Sequence, residues 1–255
     1  MDLGISNRRA LVLGGTQGLG LACAQALAQA GVQLILNGRN AERGQAVAQS
    51  LNAQFIAADL GNTSERDALI QALQQSPPDI IVTNAGGPPA APLEDTQAQQ
   101  WRNAYETSVL GPLEVVRASL AHMRAKRFGR VVNITSFVVK ELYPNMALSN
   151  SLRIGLTGAM GSLAREVAAD GITVNGILPG LMDTGALQRV IRDQSTRQAK
   201  SEAEVRQQMA CGIPMQRLGT ADDFGGLCAF LCSQQASYIT GQNICVDGGL
   251  TRSVT

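Results

Sequence analysis

Leu11-Val-Leu-Gly14-Gly15-Thr16-Gln17-Gly18-Leu19-Gly20 decides how the rest of the chain is read. An apolar run, Ala10 to Leu13, meets a glycine-rich turn and passes into Leu21 to Ala30, where Ala and Leu fall at helical spacing. This is a strand, a tight turn and a helix. Gly14 permits the turn, Gly18 lets backbone N–H groups approach a pyrophosphate, and Gly20 allows close packing, while the helix dipole favours the anion.

Outward from this turn the rhythm repeats. Short apolar runs recur at Val32 to Leu36, Phe55 to Ala57, Ile80 to Val82, Val131 to Ile134, Ile172 to Val174 and Ile244 to Val246, with helical stretches such as Trp101 to Arg124 between them. Strands alternating with helices predict right-handed βαβ units. The expected fold is α/β, a Rossmann-type doubly wound parallel sheet of about seven strands with helices on both faces. No linker, repeat or low-complexity tract interrupts residues 1–255, which read as one domain. The stretch from Met182 to Leu218 is polar and has no strand-like run, so it reads either as a substrate lid at the carboxyl edge of the sheet or as two solvated helices.

Composition excludes several classes. The chain is 45% hydrophobic and 4% aromatic, and its 21 basic against 20 acidic residues leave no excess charge for a phosphate backbone. Nucleic acid is therefore not an expected partner. No apolar run reaches membrane-spanning length, and the start, Met1-Asp2-Leu-Gly-Ile-Ser-Asn7, lacks the basic and apolar regions of a secretory signal. A cytoplasmic protein is expected. Five scattered cysteines and a single histidine, His122, give neither a disulfide framework nor a metal site. Cys228 and Cys232, one helical turn apart, read as buried helix packing, and His122 as a residue near a helix end.

The G-x-x-x-G-x-G spacing of the first turn, with Leu13 where Thr is usual, resembles the short-chain dehydrogenase/reductase family. Further landmarks follow in the family's order: Asp59-Leu60, Asn84-Ala85-Gly86, Asn133-Ile-Thr-Ser136, Leu163-Ala-Arg-Glu166, Gly171-Ile-Thr-Val-Asn175, Pro179-Gly180 with Thr184, Tyr238-Ile-Thr-Gly-Gln242 and Val246-Asp-Gly-Gly249. The wording Asn84-Ala-Gly-Gly-Pro-Pro89 is similar to one branch near the 3-oxoacyl-(acyl carrier protein) reductases. The resemblance implies a nicotinamide cofactor held by Gly14, Thr16, Gln17, Gly18, Leu19 and Gly20, with Asp59 and Leu60 at the adenine and Asn84, Ala85 and Gly86 on the adenosine side. Pro179, Gly180 and Thr184 would flank the nicotinamide, and the Asp247-Gly-Gly tail would support the core. Asn84 also suits a purely structural bond within its own turn.

Cofactor choice is legible at the end of the second strand, Leu36-Asn37-Gly38-Arg39-Asn40. An acid there would bond a ribose 2′-OH and repel a 2′-phosphate. Arg39 stands there instead, and a guanidinium grips phosphate in bidentate fashion, so NADP is favoured over NAD. The other reading of Arg39 is a surface residue at a helix start.

The family's catalytic set is Asn, Ser, Tyr and Lys, and here the resemblance breaks. Gap-free spacing between Ser136 and Leu163-Ala-Arg-Glu166 places Ser149 at the Tyr position and Arg153 at the Lys position, while spacing from Trp101 places Ser108 at the Asn position. Ser136 alone is kept. An aliphatic hydroxyl is far less acidic than a phenol, whose ordinary pKa is about 10, so Ser149 is a poor general acid. Arg153 can hold ribose hydroxyls and supply positive potential. Tyr143, six residues before Ser149, is either a substitute acid or loop packing. Two functions follow as expectations. One is an NADP(H)-dependent oxidoreductase interconverting a small-molecule carbonyl and alcohol by hydride transfer; the other is a catalytically weak cofactor-binding protein serving as sensor, scaffold or partner subunit. Family habit and the small residues of Ile154-Gly-Leu-Thr-Gly-Ala-Met-Gly-Ser-Leu163 predict a homodimer or homotetramer, although these residues equally suit packing against the sheet.

Overall fold

The computed structural model describes residues 2–253. Seven strands form one sheet: β1 (Arg9–Val12), β2 (Gln33–Gly38), β3 (Gln54–Ala57), β4 (Ile80–Asn84), β5 (Gly129–Ile134), β6 (Ile172–Pro179) and β7 (Asn243–Val246). Their order is β3-β2-β1-β4-β5-β6-β7, and every pairing is parallel. The order reverses between β1 and β4, so a crevice opens at the carboxyl ends of those strands, as doubly wound sheets place it.

Strands covered on both faces must be apolar on both, which is why these runs read as continuous rather than alternating. Ala10, Val12, Leu36, Val82, Val132 and Ile177 pack against the helices α1 (Gly18–Gln29), α2 (Ala41–Ser50) and α9 (Asp222–Cys232). Leu11, Leu13, Ile35, Ile81, Val131 and Val174 face α3 (Thr63–Gln75), α5 (Gly111–Lys126) and α6 (Ala147–Val167). Cys23, Cys228 and Cys232 are buried between α1 and α9, and contact with the thiols of Cys23 and Cys232, together with burial, pushes the Cys228 thiol well above its ordinary range. Cys228 and Cys232 are core residues, as expected, and Cys23 joins them.

β6 is longer than its apolar run. It continues through Asn175, a buried polar residue whose Nδ2 donates to the Ile239 carbonyl at 2.8 Å and whose Oδ1 accepts from Gln242 N at 3.1 Å. The segment leading into β7 thus satisfies the side chain that masks the strand in the sequence. His122 lies within α5, where its Nε2 sits 3.0 Å from Asp79 Oδ1, so a carboxylate partner positions it rather than the helix end.

α4 (Ala98–Tyr105) runs into α5 through a π-helical stretch, Glu106–Leu110. Pro112 explains the irregularity: it has no N–H for the Ser108 carbonyl four residues earlier, so regular α geometry cannot continue there. Arg66, almost fully buried on α3, pins the stretch by donating from Nη1 to Glu106 at 3.2 Å and from Nε to Glu114 at 2.5 Å.

The polar segment after β6 folds as two helices, α7 (Gly185–Gln198) and α8 (Glu202–Cys211), closed on a small core of their own made by Leu187, Ile191, Val205, Ile213 and Leu218. Arg206 clasps Asp183 with both terminal nitrogens and holds the Asp183 carboxyl below its usual range. No helix among the described residues is long and apolar enough to cross a membrane, and none of them forms a metal-binding cluster.

Candidate functional site

The crevice is built by strand ends. At β1 the glycine turn is left-handed at Gly14, φ +59°, and a Cβ on Gly20 would collide with the Gly14 carbonyl, so helix α1 starts in direct backbone contact with the turn. Gln17 caps α1 without a side-chain bond, which leaves the first N–H groups of the helix and its positive dipole end to an anion. Asn84, at the end of β4, donates from Nδ2 to the Gly14 carbonyl at 3.3 Å. It ties two strand ends together rather than bonding its own turn. Thr184, the first residue before α7, stands over the same turn, 3.8 Å from where a Cβ on Gly18 would lie.

At β2, Arg39 is 76% exposed and its Nη1 lies 3.6 Å from Asp59 Oδ2, while Asp59 Oδ1 accepts from Gly61 N at 2.9 Å. The structure thus brings together the two charged residues expected on the adenosine side of the cofactor. Leu60 differs from them, because its side chain is in the core and its carbonyl accepts from Arg66. Gly180 abuts Asp247 so closely that a Cβ would lie 2.6 Å from the Asp247 Cβ, and Asp247 itself caps the backbone of Gly249 and Thr251. The tail is structural.

The third group lies where β5 meets α6. Ser136 Oγ accepts from Val138 N at 3.4 Å, which occupies a lone pair and leaves its hydroxyl proton free to donate. Arg153 donates from Nε to Ser149 Oγ at 3.2 Å and from Nη1 to the Thr135 carbonyl. Its Nη2 lies 3.4 Å from where a Cβ on Gly87 would stand. Among the described residues the half-buried Arg153 has no carboxylate partner, and burial pushes its guanidinium down to about 10. Ser149 is only 3% exposed, and its hydroxyl oxygen accepts from the guanidinium. Tyr143 is 47% exposed on the loop before α6, with its ring edge-on to Phe137 at 5.7 Å. It adjoins the Ser136 neighbour but makes no bond to Ser149. Ser108, in the π-helical stretch, reaches the same place, lining a small cavity with Asn84, Asn133 and Arg153.

Sequence reading did not find Thr135 or the π-helical stretch. A carbonyl acceptor has no side-chain signature, and the spacing from Trp101 to Arg124 looks like uninterrupted helix.

Comparison with known proteins agrees with this architecture. The profile described as enoyl-(acyl carrier protein) reductase matches residues 14–251. The NADPH-dependent reductase BacG of Bacillus subtilis is 28% identical, covering 98% of this chain and 100% of its own. A 3-oxoacyl-(acyl-carrier-protein) reductase of Staphylococcus aureus is 31% identical over 95% of this chain and 98% of its own. The structure of L-sorbose reductase from Gluconobacter frateurii, complexed with NADPH and L-sorbose, superposes with TM-score 0.95 over all of both chains at 27% identity. With the glycine turn, the strand order and the Ser136 strand end all in the expected places, the chain belongs to the short-chain dehydrogenase/reductase family, among the members that resemble 3-oxoacyl-(acyl carrier protein) reductases.

Proposed function

We propose that this chain is an NADP(H)-dependent oxidoreductase that interconverts a small-molecule carbonyl and its alcohol, using Ser136 and Arg153 in a site without the family's tyrosine. The observation that carries this reading is Arg153: a partly buried cation, held from two sides and unmatched by any carboxylate among the described residues, beside the strand end that bears Ser136. The NADPH-dependent relatives and the NADPH complex of the L-sorbose reductase support it.

The crevice fits the cofactor. The uncapped start of α1 and the backbone of Gly14 to Leu19 would hold the pyrophosphate, Arg39 the 2′-phosphate, Asp59 the adenine, and Asn84 to Gly86 the adenosine side, while Leu60, with its side chain in the core and its carbonyl bonded to Arg66, supports Asp59 from behind. Arg153 would hold the nicotinamide ribose, between Pro179-Gly180 and Thr184 on one side and Ser136 on the other. Bound there, the cofactor supplies the hydride. Ser136 orients the substrate carbonyl through its free hydroxyl proton, and Arg153 stabilises the charge that develops on the carbonyl oxygen. The proton comes from water or Tyr143. Helices α7 and α8, with a core separate from the sheet's, form the lid over the substrate. Titration with NADPH followed by a carbonyl panel tests the reading. Tight binding without turnover would instead identify a cofactor sensor or scaffold, the reading that the buried Ser149 at the tyrosine position favours.

Arg39 carries a separate prediction. Its pair with Asp59 is exposed, and such pairs contribute about 0–1 kcal/mol, so a phosphate can draw the guanidinium away. Arg39→Ala is expected to weaken NADPH binding by roughly 1.5 to 3 kcal/mol and leave NADH nearly unchanged. Equal loss for both would assign Arg39 to the Asp59 contact alone.

Assembly follows from α6. Gly155 and Gly158 are exposed and would place no Cβ within 4 Å of another atom, and Ile154 beside them is exposed. The small residues therefore face outward rather than toward the sheet, which suits a second helix across a two-fold axis. Light scattering is expected to give at least twice the 26.8 kDa of one chain, falling toward that mass in Gly158→Arg. A monomer in both would refute the interface.

A further inference from the structure

Ser136 opens a single 3₁₀ turn, Phe137–Val139, in which Val139 N donates to the Ser136 carbonyl at 3.1 Å. Lys140 closes it, its own N–H bonded to the Phe137 carbonyl at 2.9 Å. Phe137 and Val138 are buried, so the turn is anchored in the protein and the spacing between Ser136 and Lys140 is fixed. The sequence reading passes over this lysine.

The segment that carries Lys140 lies against the tail of the chain. Glu141 Oε2 accepts from Arg252 N at 3.1 Å, a bond between residues 111 positions apart. Ile244 and Val246 pack with the cluster that includes α1 and α9, so Cys245 between them points to the other side of the sheet, where α6 lies. Burial and the Asp247 carboxylate push the Cys245 thiol up, and the Lys140 cation is near enough to oppose them. Cys245 pairs with Leu178, the residue before Pro179-Gly180, and Gly180 in turn abuts Asp247. Lys140 therefore stands between the Ser136 turn and the strand end assigned to the nicotinamide.

Lys140 is half-buried and makes no ion pair among the described residues. The two acids that adjoin this place are occupied by backbone of the tail: Glu141 holds Arg252 N, and Asp247 holds Gly249 N with Oδ1 and Thr251 N with Oδ2, both at 2.9 Å. An ammonium is a strongly hydrated point charge, and lysine is seldom withdrawn from water without a counter-ion. We propose that the counter-ion arrives with the substrate: Lys140 binds a carboxylate, and the substrate is an oxo acid with its ketone at Ser136 and Arg153. This rests on the reading of the chain as a carbonyl reductase. One ammonium neutralises one carboxylate, whereas a phosphate dianion would ask for a second cation. Lys140 sets specificity and takes no part in moving the hydride or the proton.

The test sets 2-oxopentanoate and 4-oxopentanoate against their methyl esters, which keep the ketone and lose the charge. In the parent, kcat/KM for at least one acid is expected to exceed that for its ester by about tenfold to a hundredfold, the worth of one charge-assisted bond, and the excess to shrink as salt is raised. Lys140→Met keeps the aliphatic stem and removes the charge, so the ratio should fall to about one through a higher KM for the acid, with NADPH affinity as in the parent. Lys140→Arg should keep most of the preference. A ratio near one in the parent, or one that survives in Lys140→Met, overturns the carboxylate site while leaving the reductase reading intact. Calorimetry on the NADPH-loaded chain separates the two readings. An acid that binds without turnover, and binds about tenfold more weakly to Lys140→Met, supports the site and overturns the reductase; a parent that neither binds nor reduces either acid overturns the site.

Discussion

Arg153→Ala is expected to lower kcat/KM for carbonyl reduction by roughly 10²–10³, about 2.7–4 kcal/mol, the scale of removing one preorganised donor from a developing oxyanion. The substitution takes away the positive charge that bonds Ser149 and the Thr135 carbonyl, and leaves both acceptors without that donor. Ser149→Ala removes one bond to the same guanidinium, while the Thr135 carbonyl still fixes it. A loss of about tenfold or less is expected there, in keeping with a net worth of roughly 0.5–1.5 kcal/mol for one hydrogen bond. Ser136→Ala should fall between the two, through poorer orientation of the carbonyl. The pH dependence has a definite sign. Burial lowers the folded-state value of Arg153 to about 10 from 12.5, so the cation is lost as pH rises through about 10, and activity should decline there. Stability moves the other way: the cost of burying the charged form is present below that pH and is relieved between it and the ordinary arginine value. In Arg153→Ala the alkaline limb of the rate profile should disappear. Equal losses in Arg153→Ala and Ser149→Ala would show instead that the serine works directly on the substrate.

How much of this was legible depended on where the physical information resides. Strand positions were readable because a sheet covered on both faces imposes apolar runs, and Gly14 and Gly20 were readable because close backbone contact tolerates nothing larger. The assignment of Ser149 and Arg153 to the positions of the usual pair is a proposal that rests on their fixed spacing from Ser136, and both residues lie on α6. Other features reside in contacts between distant segments. Arg66 looks like any surface arginine until α3 sets it between Glu106 and Glu114, which are 40 and 48 residues away. Asn175 breaks an apolar pattern that the chain completes with residues 64 and 67 positions later. Asn133 reads as part of a family phrase, and only the sheet shows that its amide donor has no partner among the described residues. The two readings of Asn84, Arg39 and the α6 glycines were open in the sequence for the same reason. Each turned on what stood opposite, and the fold supplies the Gly14 carbonyl, the Asp59 carboxylate and open solvent respectively.

Restoring the family pair, Ser149→Tyr with Arg153→Lys, is expected to raise kcat for simple ketones by roughly 10²-fold, the lower end of what a positioned general acid contributes. The surroundings that would position the pair are intact. Ser149 and Arg153 occupy successive turns of α6, the Thr135 carbonyl is placed to accept from an ammonium group, and Ser136 keeps its free hydroxyl proton. A phenol there would be far more acidic than the serine it replaces, and the neighbouring cation would make it more so. The variant must also find room for a ring where the parent buries a hydroxymethyl group, so the introduced phenol has to turn outward past Tyr143, and a stability loss of about 1–3 kcal/mol accompanies the gain. The single variants separate the two contributions. Ser149→Tyr alone keeps Arg153, whose guanidinium already bonds the side chain at that position, and should recover part of the increase; Arg153→Lys alone supplies no acid and should be slower than the parent. The result also decides what the parent pair is for. A double variant slower than the parent on the parent's own substrate would mean that Ser149 and Arg153 belong to a different working site, in which the guanidinium takes the place of the phenol rather than compensating for its loss.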